Sequence, residues 1–229
     1  MEKKVVRNTL FLTSANLLAR AIGFLSFIFL GRILGVTAFG HYNFALALVY
    51  NFYPVADFGI ERVILRDLAK DSSRAQEYFQ KLLPLRFLMA FVSMVLAILF
   101  GFVLGKTGAD RLNVCIFGFC LFSWNITQLV AGIGNAFEKM EIQSFLAVLL
   151  SVLKMIFEIF IAFYWRNVSL VLMGDVIGSI LVLLVALRLG QKISLKFKIE
   201  VDLRFWKKVL SESWVFASIM ILAVIYLRS

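Results

Sequence analysis

The sequence is poor in the residues that build disulfide frameworks, metal sites and nucleophile clusters. Its 229 residues include one histidine, two cysteines and two prolines, and only 17% of them are charged. Cys115 and Cys120 fall within one apolar segment at a spacing that suits neither a disulfide framework nor a metal site. Because His41 also stands alone, the sequence favours a protein that is not an enzyme and that uses no metal or other cofactor.

Apolar residues, by contrast, make up 62% of the chain, and the mean hydropathy is +0.91. A soluble domain has about 45–50% apolar residues, so this chain requires lipid as its main solvent. A membrane-spanning helix needs about 20 apolar residues. A seventh such segment begins near Trp214, after six complete ones at 9–34, 41–60, 84–105, 112–137, 143–165 and 168–189. The sequence therefore predicts an all-α polytopic membrane protein, with a six-helix transmembrane bundle and the start of a seventh helix.

The basic residues are distributed unevenly between the segments that separate these spans. When Lys and Arg are assigned to alternate sides, seventeen, including Arg86, fall on the side of the N-terminus and five on the other. The positive-inside rule then places the N-terminus and the 61–83 and 190–213 segments in the cytoplasm. We therefore interpret the net charge of +10 as a topology signal and as contact with anionic membrane lipids, not as nucleic-acid binding.

Three regions follow from this pattern. Residues 1–190 form a six-helix transmembrane lobe, 191–213 a basic cytoplasmic linker, and 214–229 the start of the seventh span. Within the linker, Asp202 is suited to N-cap a short helix over residues 203–212. One side of that helix is apolar and carries Phe205, Trp206, Val209 and Leu210. The pattern predicts an amphipathic helix that lies on the membrane surface.

Polar and small residues recur at helical spacing on four of the predicted spans, and each set lies on one helix face. The sets are Thr9, Thr13, Asn16, Arg20 and Gly23; Asn43, Ala47, Tyr50, Pro54, Asp57 and Glu61; Trp124, Gln128, Ala131, Asn135 and Glu138; and Ser144, Ala147, Ser151, Lys154 and Glu158. Polar faces on helices that otherwise suit lipid predict a hydrated cavity enclosed by the bundle. Ionisable residues inside a membrane are costly, so those on these faces are candidates for function.

Several of these residues also admit a purely structural interpretation. Lys154 and Glu158 are one helical turn apart and can neutralise each other, and Asp57 can bond Arg62 or cap the following segment. Arg20 differs from them, because it lies near mid-depth of its span with no acidic residue one turn away. We therefore predict that Arg20 faces the cavity and holds an anionic substrate or a coupling acid.

Pro54 removes a backbone hydrogen bond within the second predicted span, so we expect a kink there. Asn16, Gln128 and Asn135 either line the cavity or bond neighbouring helices. Arg32 lies at the far interface, where it either binds substrate or extends to lipid headgroups.

Short pieces of the first 70 residues also carry a family resemblance. They are Arg20-Ala-Ile-Gly23-Phe24, then Gly31-Arg32-Ile-Leu-Gly35-Val-Thr-Ala-Phe39-Gly40-His-Tyr42, then Ala56-Asp57-Phe58-Gly59-Ile60 followed by Arg66. In this order they resemble the opening of the Wzx-like polysaccharide and oligosaccharide flippases of the multidrug/oligosaccharidyl-lipid/polysaccharide superfamily. The resemblance extends through all six spans and resumes at residues 211–229.

The resemblance implies two six-helix lobes around a cationic central cavity, which takes polyprenyl-pyrophosphate-linked glycans to the outer leaflet by alternating access. Arg20 and Arg32 match positions where the related lipid II flippases carry arginine. Ser26 and the 51–53 region stand where those relatives carry other basic residues, which argues against lipid II as the substrate. The candidate substrate-binding residues are Arg20, Asn16, Arg32, Asn51, Gln128, Asn135 and Lys154, and the candidates for coupling or gating are Asp57, Glu158 and Pro54.

The expected function is the N-terminal lobe of a lipid-linked saccharide flippase in the cytoplasmic membrane. Its expected partners are that saccharide, anionic lipids, and either a missing C-terminal lobe or a second copy of the chain, since one lobe needs another to rock against. Two alternatives remain open. One is a cation-coupled multidrug exporter of the same architecture, whose cavity favours acidic and aromatic residues, and the other is a non-transporting membrane scaffold for glycan assembly.

Overall fold

A computed structural model describes the backbone of residues 2–193 and 195–228 and the side chains of residues 12–193 and 195–219. Thr9 of the first polar set lies outside the described side chains. The described backbone is almost entirely helical. The helices are α1 (Glu2–Asp57), α2 (Ile60–Lys70), α3 (Ala75–Leu104), α4 (Gly108–Gly118), α5 (Cys120–Ala136), α6 (Met140–Trp165), α7 (Val168–Lys192) and α8 (Leu203–Arg228), with a 3-10 turn at Ser72–Arg74.

Helix α1 is a hairpin rather than one long rod. Gly35 has a non-helical backbone with φ 75° and ψ 171°, a region that essentially only glycine occupies. The ring centroids of Phe27 and Phe39 are 4.7 Å apart, whereas a straight helix would separate residues at this spacing by about 18 Å. The chain therefore reverses at Gly35 and divides α1 into a first arm (residues 12–34) and a second arm (residues 36–57).

Within the described residues, five continuous helical stretches are long and apolar enough to cross a membrane. They are Leu12–Lys70, Ser72–Leu104, Gly108–Ala136, Met140–Trp165 and Val168–Lys192. The first stretch contains both arms of α1 and thus the first two predicted spans. The prediction of an all-α polytopic bundle is confirmed. The count differs from the predicted six only because a turn at Gly35 replaces the expected loop between residues 34 and 41.

The second arm ends at a turn beyond Pro54. The backbone stays helical at Pro54, and the break predicted there lies instead at Phe58 and Gly59, whose φ angles are 48° and 71°. The Asp57 carboxylate supports this turn by accepting a hydrogen bond from the Gly59 amide at 3.1 Å. Helix α2 follows directly, so the 61–83 segment is largely helical, and α2 buries its apolar side against the bundle.

Helices α4 and α5 form a single crossing with an offset at Phe119. Thr107 and Asp110 close a capping box at the start of α4. The Asp110 carboxylate also lies 2.6 Å from the His41 Nδ1 atom. The crossing is therefore fixed to the second arm of α1 at the end opposite α2.

Helix α8 begins at Leu203, and the Asp202 carboxylate accepts a hydrogen bond from the Phe205 amide at 3.0 Å, so the predicted N-cap is present. The helix does not end at residue 212 but continues to Arg228. Phe205 and Val209 are 9% and 2% exposed and join the apolar core beside α2 and α3. The apolar side of this helix thus packs against the protein itself, and its position relative to the membrane surface stays a prediction.

Candidate functional site

Two adjoining cavities lie between the arms of α1 and helices α5, α6 and α7. The larger has a volume of about 330 Å³ and the smaller about 270 Å³. Tyr50, Leu150 and Lys154 line both. The remaining residues of the larger cavity are Asn16, Tyr53, Trp124, Thr127, Gln128, Gln143, Leu146, Ala147, Asp175 and Val182. Each of the four polar helix faces thus contributes to one cavity, and α7, which has no such face, adds Asp175.

A cluster of one base and two acids forms the boundary between the two cavities. The Lys154 Nζ atom lies 3.4 Å from Glu158 Oε1 and 3.2 Å from Asp175 Oδ2. The hydroxyls of Ser26 and Tyr42 donate hydrogen bonds to the two oxygens of Glu158. Lys154 is therefore shared between two carboxylates, and the formal charge of the cluster is −1.

Two features of the backbone bring this cluster together. The reversal at Gly35 places Ser26 on the first arm and Tyr42 on the second arm beside the same carboxylate. On α7, Gly174 lacks the side chain that would obstruct α6, since a Cβ atom there would lie 2.6 Å from Ile161 Cδ1. This close approach, typical of small residues between membrane helices, lets Asp175 reach Lys154.

Aromatic rings form one wall of the larger cavity. Tyr50 and Trp124 stack with their ring centroids 5.1 Å apart and their planes 6° from parallel. Tyr53 packs edge-on against the same indole at 6.3 Å. Phe117 supports Trp124 from behind, at 5.5 Å between centroids. Because aromatic rings lose little conformational freedom when they bind a ligand, this wall is a preformed surface.

The structure brings Asn16, Gln128 and Lys154 of the candidate substrate-binding residues to the larger cavity. Asn135 does not line it, but its Nδ2 atom donates a hydrogen bond of 2.6 Å to Gln143 Oε1, and Gln143 does line it. Asn51 is exposed on the second arm and contacts other residues of the chain.

Arg20 and Arg32 lie outside both cavities. Arg20 is exposed on the first arm, between Asn16 of the larger cavity and Gly23 of the smaller. Neither arginine forms a hydrogen bond or ion pair with a described residue. The structure therefore places Arg20 on the helix face that borders the cavities, with its guanidinium unpaired within the described part of the chain.

Asp57, a candidate for coupling, is part of a separate buried network. The fully buried Arg86 Nη1 atom donates hydrogen bonds of 2.6 Å to Asp57 Oδ1 and to Asn125 Oδ1. Asn125 in turn donates to the backbone carbonyl of Ala56 at 2.9 Å. Asp57 thus pairs with Arg86 of α3, not with Arg62, and Arg86 lies in the bundle interior, not in a solvated cytoplasmic segment as the alternation of basic residues suggested.

Asp175, Arg86 and Tyr42 are among the residues of these sites that were not proposed from the sequence. Asp175 is the single acid in its predicted span. An acidic residue inside a membrane span is a candidate for function by itself, so the sequence did contain a signal for Asp175. Arg86 and Tyr42 lie close to predicted span ends, where charged and aromatic residues also occur for interfacial reasons. Among the described residues, no group of three or more His, Cys, Asp or Glu side chains is placed to hold a metal ion.

A second polar contact joins α8 to α2 and α3. Lys81 Nζ lies 3.0 Å from Asp202 Oδ2, and the Trp206 Nε1 atom donates to the Lys81 carbonyl at 2.7 Å. Arg66 of α2 pairs with Glu212 of α8. Hydrogen bonds from the Phe205 amide and then from Lys81 lower the pKa of the Asp202 carboxyl below its ordinary value. This contact fixes the first half of α8 to the lobe.

A family model described as "polysaccharide biosynthesis protein" matches residues 5–229. The chain belongs to that family. The polysaccharide biosynthesis protein family is that of the Wzx-like flippases, so the resemblance inferred from the sequence is confirmed. With its long apolar helices, this family member is a multi-pass membrane protein of polysaccharide-related transport. No curated protein and no solved structure matches the chain.

Proposed function

We propose that this family member is the N-terminal lobe of a transporter that flips polyprenyl-pyrophosphate-linked saccharides from the cytoplasmic to the outer leaflet by alternating access. The observation that carries the proposal is a polar cavity inside an apolar bundle, bordered by Arg20, which pairs with no described residue. Lipid tails offer no hydrogen bonds, so such a cavity serves a polar solute. No enzymatic step is part of this function.

Arg20 is suited to bind the pyrophosphate. A doubly charged anion at mid-membrane needs a counter-charge, because the low dielectric makes an unpaired charge very costly. A guanidinium stays protonated and offers a fork of donors that matches phosphate oxygens. Lys154 is less suited to this task, because it already serves Glu158 and Asp175. Arg32 and Asn51 line neither cavity and remain candidates for contact with the substrate outside them.

Substitution of Arg20 tests this function. In the full-length protein we expect Arg20→Ala to abolish glycan export, since export then lacks its mid-membrane counter-charge, and Arg20→Lys to give an intermediate defect, since lysine keeps the charge but loses the bidentate geometry. Complementation of a flippase-deficient strain measures export, with the abundance of each variant checked in the membrane. Arg166→Ala, another exposed arginine outside the cavities, is the control and should export normally. Normal export by Arg20→Ala at wild-type abundance would remove the substrate role.

We also propose a gating role for Glu158 and a hinge role for the segment from Pro54 to Gly59. The Glu158 carboxylate of α6 binds Ser26 of the first arm, Tyr42 of the second arm and Lys154. Loss of these contacts would free both arms of α1 from α6 at once. Asp57 and Arg86 fix the turn after Pro54, which connects the bundle to α2. The rocking motion further requires a C-terminal lobe or a second copy of the chain, in the cytoplasmic membrane.

Two observations favour a second candidate, a cation-coupled multidrug exporter of the same superfamily. The cavity boundary is acidic by one formal charge, and one wall is aromatic, which are the features that an organic cation prefers. Susceptibility of a deletion strain to lipophilic cations separates the two functions. A rise in susceptibility with unchanged glycan export would favour the exporter.

A further inference from the structure

Two polar groups at the larger cavity are buried and have no hydrogen-bond partner among the described residues. Asp175 is 4% exposed. Lys154 Nζ forms an ion pair with its Oδ2 atom at 3.2 Å, but neither Asp175 oxygen has a hydrogen-bond partner among the described residues. The Trp124 Nε1 atom is likewise buried without an acceptor among those residues. Buried polar groups in native proteins are nearly always hydrogen-bonded. A ligand with both donors and acceptors would satisfy these atoms.

The cavity wall beside these groups is the flat face of an aromatic ring. Tyr50 is 39% exposed and lies parallel on Trp124, so its outer face is open to both cavities. A pyranose ring has a flat face made of C–H groups, which packs on an aromatic face, and a rim of hydroxyls, which seek polar partners. A volume of about 330 Å³ is at the lower end of the range for small-molecule sites, about 300–1,000 Å³.

The charge of the cavity boundary restricts the ligand further. Its single base, Lys154, lies beside two acids, so an anionic ligand placed there would meet a net negative charge at low dielectric. Arg20 is four residues from Asn16 on the first arm, about 6 Å farther along the helix axis. The pyrophosphate and the sugar of one substrate therefore have separate places, with the charge near Arg20 and the sugar in the cavity.

We propose that the larger cavity is a binding site for a neutral saccharide, whose ring packs on Tyr50 and whose hydroxyls hydrogen-bond to Asp175 and Trp124, and that it rejects acidic sugars. This inference rests on the proposed function and names the part of the substrate that the lobe recognises. Asp175 and Tyr50 are then the specificity-determining residues. Asp175 repels a uronate carboxylate, and Tyr50 requires an unobstructed ring face.

Binding of free glycosides to the purified full chain in detergent tests the site. The probes are the methyl glycosides of glucose, galactose, rhamnose and N-acetylglucosamine, together with methyl glucuronide and methyl galacturonide, and saturation-transfer NMR gives their affinities. We expect at least one neutral glycoside to bind and each uronide to bind at least tenfold more weakly than its neutral counterpart. Binding of no neutral glycoside, equal binding of the uronides, or displacement of the glycoside by tetraphenylphosphonium would overturn the proposal.

Matched variants locate the site. Tyr50→Ala should weaken binding of the neutral glycoside at least tenfold, whereas Tyr50→Phe, which keeps the ring, should not. Asp175→Asn should narrow the preference for neutral over acidic sugars. The control is Tyr164→Ala, an exposed aromatic residue outside both cavities, which should bind as the unchanged protein does. Loss of binding in Tyr164→Ala, or unchanged binding in Tyr50→Ala, would overturn the assignment.

The two proposals fail in different ways. If export depends on Arg20 but no glycoside binds, the flippase function stands and the sugar site is wrong. If a neutral glycoside binds through Tyr50 but Arg20→Ala exports normally, the sugar site stands and the role of Arg20 in export is wrong. Elution volume in size-exclusion chromatography confirms that each variant is folded before either result is used.

Discussion

At the residue scale, Lys154 shows how one base can serve two buried acids. Its ammonium contacts both Glu158 and Asp175, but the two acids differ in what else holds them. Glu158 also accepts hydrogen bonds from Ser26 and Tyr42, whereas Asp175 accepts none from the described residues. The three charged groups therefore differ in how well their neighbours compensate them. Neutralising one of them should not change the stability by the same amount as neutralising another.

Lys154→Met is expected to lower the free energy of unfolding by about 3–5 kcal/mol, because it leaves two buried carboxylates without a counter-charge. Asp175→Asn is expected to cost much less, since the remaining pair of Lys154 and Glu158 is neutral. The variant with both Lys154→Met and Asp175→Asn should have a free energy of unfolding between those of the two single variants, because it leaves only Glu158 without a counter-charge. Thermal unfolding of the purified proteins in one detergent measures all three.

A lysine in an exposed ion pair provides the control for this series. Lys198 lies 2.8 Å from Glu200 and its side chain is 69% exposed, so Lys198→Met should change the stability by no more than about 1 kcal/mol. If Asp175→Asn destabilised the protein as strongly as Lys154→Met, Lys154 would not be the shared counter-charge that its geometry indicates.

The sequence predicted the cavity-facing positions better than their partners. Helical spacing alone assigned Asn16, Tyr50, Gln128 and Lys154 to inward faces, and all four line the larger cavity. The pairing of Lys154 with Asp175 was not predictable in this way, because it depends on how closely α7 approaches α6 at Gly174. Periodicity defines the face of a helix but not the distance to its neighbour.

At the element scale, two glycines reverse or redirect the chain. Gly35 and Gly59 have φ angles of 75° and 71°, in backbone regions that cost other residues about 1–3 kcal/mol. They differ in their surroundings. A Cβ atom at Gly35 would meet nothing within 4 Å, whereas at Gly59 it would lie 2.7 Å from Phe216 Cβ and 3.0 Å from the Ser213 carbonyl oxygen of α8.

We expect both Gly35→Ala and Gly59→Ala to lower the melting temperature, and Gly40→Ala to leave it unchanged or raise it. Gly40 lies inside the second arm with ordinary helical backbone, and a Cβ atom added there would meet nothing within 4 Å. Alanine favours a helix by about 0.5–1 kcal/mol over glycine. Thermal unfolding in a common detergent measures the three. A Gly59→Ala protein that melts with the unchanged protein would contradict the close packing of α8 on this turn.

Element boundaries also show the limit of hydropathy. Hydropathy identified every apolar span. It did not indicate the one-residue turn at Gly35 or the helix α2. Hydropathy separates lipid-soluble from polar segments. Both the tight turn and the amphipathic helix depend instead on backbone conformation and on burial against other parts of the protein.

At the scale of the whole molecule, the structure places the two most basic segments at the same end of the bundle. The Lys196 amide donates to Gln76 Oε1, and Gln76 Nε2 donates back to the Lys196 carbonyl, each at 2.8 Å. Position 74 and position 196 therefore share one side of the membrane. Lys106 lies beyond the other end of α3.

We predict that this shared side is the cytoplasm, because the charge bias follows the positive-inside rule. In intact cells, a membrane-impermeant maleimide should fail to label a cysteine at position 74 or 196 and should label one at position 106, after Cys115 and Cys120 are replaced by alanine. Labelling after permeabilisation controls for accessibility. Labelling of position 74 or 196 from outside would reverse the assigned orientation.

The unbroken helix α8 makes the exit from this lobe stiff. Its 26 residues form a rod about 39 Å long, and its first half is held by the turn at Gly59 and by Lys81. A flexible tether would absorb a rotation of the lobe, whereas a rod amplifies it. The Gly59 contact lies at residues 213–217 of α8, so about 18 Å of the rod extends beyond it. A tilt of about 10° at this contact would displace the far end by about 3 Å, which makes α8 a lever arm whose fulcrum is a single glycine.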